Sequence, residues 1–159
     1  MNALDFFIKK ADSIRVGCYG SGCVDIEIDM ERDDRTICIS RDKGLVELSC
    51  LVYLGGGDEG SASILDDEFK ALIEFIPAFK SGQDQISQIS SLLLETENDS
   101  LNMSISESAV EIKCRKNGDW DPQYSCSISR NQELQFEGPV PMKLKEKMQR
   151  VAQLIWAEK

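Results

Sequence analysis

The spacing of apolar residues changes period several times along the 159-residue chain, and each change marks an element. Leu4, Phe7, Ile8 and Ala11 recur at intervals of three and four, which predicts a short amphipathic helix over residues 2–12. A period of two then takes over. Val24, Ile26, Ile28 and Met30 alternate with Asp25, Glu27, Asp29 and Glu31, the pattern of a strand with one apolar and one acidic face. Asp33-Asp34 supplies a turn, residues 36–40 a returning strand, Asp42-Lys43-Gly44 a second turn, and residues 45–54 a longer strand with Val46, Leu48, Cys50, Val52 and Leu54 on one side. Residues 14–19 add a short strand ahead of this meander. The run GGGDEGSAS at 55–63 reads as a flexible connection to a helical region.

There the period returns to that of a helix. Leu65, Phe69, Leu72, Ile73, Ile76 and Phe79 share a face, Asp66, Asp67 and Glu68 favour a first turn, and Pro77 is expected to kink or end the helix. A second helix over residues 83–95 presents Ile86, Ile89, Leu92 and Leu93. Strand patterns resume at 101–106, 110–115, 124–129 and 134–136, with Asn117-Gly118 marking a turn. Pro139 and Pro141 introduce a long closing helix whose buried stripe is Leu144, Met148, Val151 and Ile155, with Lys143, Lys147 and Arg150 toward solvent. Strands followed by helix therefore occur twice, at 13–97 and 100–158, a weak suggestion of a repeat. The fold expected is a single α+β domain over residues 1–159: antiparallel meander sheet, helices packed on one face, a short N-terminal and a long C-terminal helix.

Composition narrows the chemistry. The chain has no histidine, which removes the usual general base, the Ser-His and Cys-His dyads and the commonest zinc ligand. No enzymatic activity, cofactor or metal is expected. The net charge is −10, from 28 acids and 18 bases, which disfavours direct contact with nucleic acid or an anionic membrane. Residues 1–99 hold 20 acids and 9 bases, residues 100–159 hold 8 and 9, so the acidity belongs to the first part of the chain. Asp5 and Lys9-Lys10 follow rather than precede the first apolar residues, so no secretory leader is expected, and no apolar run has the length of a membrane span. Six cysteines, several inside strand patterns, read as reduced thiols of a cytoplasmic protein.

Each candidate site also has a plainer explanation. Cys18 and Cys23 in CYGSGC are close enough for zinc, but no second pair or histidine completes a tetrahedral set. Gly55–Gly60 lacks the Gly-Lys-Ser/Thr ending of a phosphate cradle and carries two acids. The densest feature is the acidic row Asp25, Glu27, Asp29 and Glu31, extended by Asp33 and Asp34, with side chains about 6.6 Å apart along one strand face. Such a row fits the Lys and Arg of a protein partner and speeds encounter, and it equally fits a charged edge that blocks unwanted strand pairing. Trp120 and Tyr124 flank a hairpin loop and fit contact anchors or core aromatics.

In general character the profile resembles immunity proteins that neutralise toxins, secretion chaperones that hold an effector, and phage-encoded inhibitors of host nucleic-acid-binding defence proteins, with no shared motif. The expectation that follows is a non-enzymatic module that binds a protein with a basic surface, first of all as an immunity-type inhibitor. The alternatives are a secretion chaperone, such a phage inhibitor, or a carboxylate-based hydrolase, which requires an acid of raised pKa in a concave pocket. A homodimer is compatible with the chaperone alternative.

Overall fold

The computed structural model describes residues 3–55, 58–138 and 140–156. The chain runs α1 (Ala3–Lys10), β1 (Ser13–Tyr19), β2 (Val24–Met30), a 3-10 turn (Glu31–Asp33), β3 (Arg35–Asp42), β4 (Leu45–Gly55), β5 (Asp58–Ser61), α2 (Asp66–Ser81), α3 (Gln85–Leu93), β6 (Ser100–Ile105), β7 (Ala109–Arg115), β8 (Tyr124–Ser129), β9 (Leu134–Glu137) and α4 (Met142–Trp156). It is the expected α+β fold, with a short N-terminal and a long C-terminal helix. All nine strands join one antiparallel sheet in the order β5-β4-β3-β2-β1-β6-β7-β8-β9.

That order starts at the centre. β1 and β6 lie side by side, and each opens a run of hairpin-connected strands that proceeds outward to its own edge. Each run is preceded by one helix, α1 or α3, and followed by another, α2 or α4. The order helix, strands, helix thus occurs over 3–81 and again over 85–156.

The core lies between the sheet and its four helices. Ile14, Val16 and Cys18 of β1 line up with Ile26 and Ile28 of β2, Ile37 and Ile39 of β3, Leu101 and Met103 of β6, and Val110, Ile112 and Cys114 of β7. All are buried, and Leu4, Phe7, Leu72, Phe79, Ile86, Ile89, Met148 and Val151 close the layer from above. Among the described residues, no helix covers the opposite face of the sheet.

Two arginines on the core side of β3 clamp α2. The sequence Arg35-Thr36-Ile37-Cys38-Ile39-Ser40-Arg41 puts both in phase with the buried isoleucines, about 20 Å apart. Arg35 meets Glu68 near the start of α2 with two bonds, Nη1 to Oε1 at 2.8 Å and Nη2 to Oε2 at 3.0 Å, and also reaches Asp33 at 2.9 Å and the Ser63 carbonyl at 3.0 Å. The Leu65 N–H donates to the same Glu68 carboxylate at 3.0 Å, which satisfies the helix start. Burial works against the ionised Glu68, but these donors outweigh it and leave its carboxyl below the ordinary value. Arg41 donates to the Phe79 carbonyl near the end of α2 and to Ser87 Oγ at 2.8 Å, and stacks over the Phe79 ring at 4.9 Å. It thus fastens the end of α2 and the start of α3 to one strand.

This clamp sets the roll of α2, and the buried face differs from the expected one. Glu68, Ala71, Leu72, Phe75 and Phe79 point inward, whereas Leu65, Phe69 and Ile73 are exposed. Pro77 does not end the helix, which continues to Ser81 and stops at Gly82 in the left-handed conformation, φ 73°. Two further expectations fail. Residues 58–61 of the expected flexible run form β5, an edge strand paired to β4; Gly56 and Gly57 lie outside the described residues. The acidic strand ends one residue early: Met30 pairs with Arg35, the first residue of β3, so Glu31 must enter the 3-10 turn that reverses the chain. Pro139, expected to introduce the last helix, also lies outside the described residues, and Pro141 immediately precedes α4.

Candidate protein-binding face

Residues of odd number on β1 and β2, and of even number on β3, project from the helix-free face. Asp25 sits there between Gly17 of β1 and Ser40 of β3, Glu27 between Arg15 and Cys38, and Asp29 between Ser13 and Thr36. The three acids share one face, as their alternation requires, but they are not equivalent.

Asp29 is held within the sheet. Ser13 Oγ donates to its Oδ2 and Thr36 Oγ1 to its Oδ1, each at 3.0 Å, Arg15 lies 3.2 Å away, and only 20% of the side chain remains exposed. Glu27 meets the same Arg15 at 2.7 Å. A single arginine one strand over therefore neutralises much of this part of the row. Asp25 is exposed and, among the described residues, joins no ion pair. A second free carboxylate lies across Ser40: Glu47 of β4, exposed and likewise unpaired among the described residues. Two strand spacings put Asp25 and Glu47 about 10 Å apart, with only the Ser40 hydroxyl between them. Asp42, exposed at the end of β3, adds to the same quarter. Nothing in the period-two pattern of one strand reveals Glu47 as a neighbour, because that relation exists only once β3 and β4 have paired.

The other expected site residues lie apart. Asp33 faces Arg35, and exposed Asp34 occupies the turn with φ 52°, so both belong to the β2–β3 reversal. Glu31 opens that turn, and its side chain lies outside the described residues. Trp120, 94% exposed, is carried on the loop between β7 and β8, at the end of the strands opposite to that turn. Tyr124 is half-buried on the core side of β8, where burial and the neighbouring Cys114 thiol push its phenol up. The two aromatics form no joint anchor.

Across the centre of the open face cations appear, alongside the exposed Glu111 of β7. Lys113 and Arg115 of β7 stand beside Asn102 and Ser100 of β6. A shallow depression of about 500 Å³ spans β2, β1, β6 and β7, lined among others by Arg15, Tyr19, Asp25, Asn102 and Lys113, its floor lowered by Gly17. A second depression of about 690 Å³ lies between the end of α3, the β7–β8 loop and the start of α4. Two of its three cations are engaged, Lys116 with buried Asp99 at 3.2 Å and Lys147 with Glu95 at 3.3 Å, while exposed Lys143 joins no ion pair among the described residues.

The remaining reactive groups serve the fold. All six cysteines are free, and burial pushes Cys18 up to about 12 and Cys126 up to about 11, far from thiolate formation at neutral pH. Asp99 is buried, which raises its carboxyl, but the N–H groups of Glu95, Asn117 and Thr96 and the Thr96 hydroxyl outweigh that and hold it well below the ordinary range. Among the described residues no group of three or more His, Cys, Asp or Glu is placed to hold a metal ion, and no helix is long and apolar enough to cross a membrane. Comparison with known proteins gives no match to a family model, a curated protein or a solved structure.

Proposed function

We propose that the chain is a non-enzymatic protein-binding module that offers the acidic quarter of its open sheet face to a basic surface of another protein. The observation that supports this reading is the pair of unpaired carboxylates, Asp25 and Glu47, on a helix-free face where Gly17, Ser40 and Ser49 keep the surface low. Carboxylates that are solvated and spaced about 10 Å apart suit separate Lys or Arg groups and give fast, salt-sensitive association. An immunity-type inhibitor acting in the cytoplasm, covering the basic cleft of a toxin that acts on nucleic acid, is the form we favour, because such a cleft must be cationic to hold its substrate.

The test is affinity capture from the native host with the wild-type chain and with the Asp25→Lys/Glu47→Lys variant, followed by measurement of the captured partner's affinity against ionic strength. The reading expects a basic partner whose binding weakens with salt and falls at least tenfold in the variant. Equal affinity for both forms would remove the site from this face.

A further inference from the structure

The outer flank of α2 is apolar and uncovered. Phe69 and Ile73 remain 51% and 52% exposed, Leu65 at the start of the helix is exposed as well, and Pro77 continues the line. Asp67, which reaches Lys10 of α1 at 2.8 Å, lies about 200° round the helix from Phe69, so the apolar flank turns away from α1. α2 rests on β4, next to the sheet margin, and β4 is itself incompletely paired: β5 covers it only over Leu51–Gly55. The Ala62 N–H donates to the Cys50 carbonyl, so Cys50 directs its backbone groups outward. By alternation Val46 and Leu48 do the same, and among the described residues no strand meets them. One side of the molecule therefore combines an open strand edge with an apolar helix flank, two features that soluble monomers normally protect.

The charges on α2 select an occupant. Asp66 and Lys80 are exposed and join no ion pair among the described residues, and they lie symmetrically about Ile73, seven residues to either side. They are about 21 Å apart along the axis and only about 40° apart round it, close to the flank that carries Phe69 and Ile73. A second α2 laid antiparallel with Ile73 against Ile73 sets Asp66 of each copy against Lys80 of the other and brings Phe69 to Pro77. A parallel arrangement sets like charge on like. We propose that a second copy of this chain docks here, as a two-fold homodimer with α2 against α2, Ile73 at the centre and two Asp66–Lys80 pairs at the ends. Such an isologous contact needs one self-complementary patch, which this flank is. It lies on the helix side of the sheet, away from Asp25 and Glu47, so either surface can fail its test without affecting the other.

Sedimentation equilibrium of the full chain up to about 100 μM, a range that detects micromolar association, provides the test. The expected result is a dimer that Phe69→Glu/Ile73→Glu weakens at least tenfold with unchanged circular dichroism, since both side chains are already half in water. Asp66→Lys alone and Lys80→Asp alone should each weaken the dimer, and the two together should restore it, which loss of folding could not imitate. A monomer throughout would overturn the proposal and leave the flank to a different protein. A dimer indifferent to Phe69→Glu/Ile73→Glu, or a double charge swap without recovery, would overturn it equally.

Discussion

Gly20 leaves no room for a side chain, since a Cβ built there would stand 1.9 Å from the Thr96 carbonyl oxygen, a backbone atom that cannot swing aside. The contact fixes the β1–β2 turn to the loop before β6, where the Gly20 N–H also donates to the Asp99 carbonyl at 2.8 Å. Gly20→Ala is expected to cost at least about 2 kcal/mol, in the range of overpacked sites, read from denaturant unfolding. Asp99 closes the same junction through the backbone of both the 95–99 loop and Asn117. Its carboxyl and that of Glu68 lie below their ordinary values of 3.8 and 4.5 in the fold. A lowered folded-state pKa stabilises above the unfolded value and stops doing so as pH falls through and below it. Stability should therefore be flat from about pH 5 to about pH 8, decline steadily below about pH 4, and fall again above about pH 9, where the unfolded chain releases the protons that buried Cys18 and Cys126 retain. Asp99→Asn should cost on the order of 2–3 kcal/mol at neutral pH and flatten that acid limb, both visible in thermal midpoints measured against pH. Neither Gly20 nor Asp99 announces itself in the sequence, because Gly20 meets a segment nearly eighty residues away and the Asp99 carboxylate joins its own loop to Asn117, eighteen residues on.

At the scale of the element, the pattern of apolar residues locates helices and strands well and fixes their faces only where nothing polar competes. β2 shows the first case: the face alternation predicted from Val24 to Met30 is the one observed. α2 shows the second. Counting apolar residues assigns Phe69 and Ile73 inward, but the buried Arg35 of β3 needs an anion, and placing Glu68 inward rolls the helix so that Phe75 replaces them. The signal was present in Arg35 and Arg41, in phase with Ile37 and Ile39 on a strand otherwise apolar on that side. The clamp predicts its own energetics. Removing one partner by Glu68→Gln or Arg35→Met should cost about 3 kcal/mol, because the other stays buried without its bidentate partner and keeps only Asp33 and Ser63, or Leu65 and Lys10, to offset its charge. The double replacement Arg35→Met/Glu68→Leu should recover much of that loss, and a double-mutant cycle on unfolding free energies measures the coupling.

For the whole molecule, the topology turns a charge count into a surface. The excess of acids before residue 100 spreads over several places: some acids pair with Arg15, some with Arg35 and Lys10, and some are spent on turns. Among the described residues, the acids before residue 100 that remain free on the open face are a small set in β2, β3 and β4, adjoining the Lys113 and Arg115 side of the same sheet. The acids of this face should then behave differently from one another. Asp25→Lys/Glu47→Lys changes only solvated groups and should shift unfolding by no more than about 0.5 kcal/mol, the usual range for exposed sites. Asp29→Lys places a cation beside Arg15 and leaves the hydroxyls of Ser13 and Thr36 without their acceptor, and should cost about 2–4 kcal/mol. Urea titrations of the two variants separate the carboxylates that hold the sheet from those available to a partner. If Asp25→Lys/Glu47→Lys unfolds as readily as Asp29→Lys, the free carboxylates are structural too, and the acidic quarter loses its claim to be a binding surface.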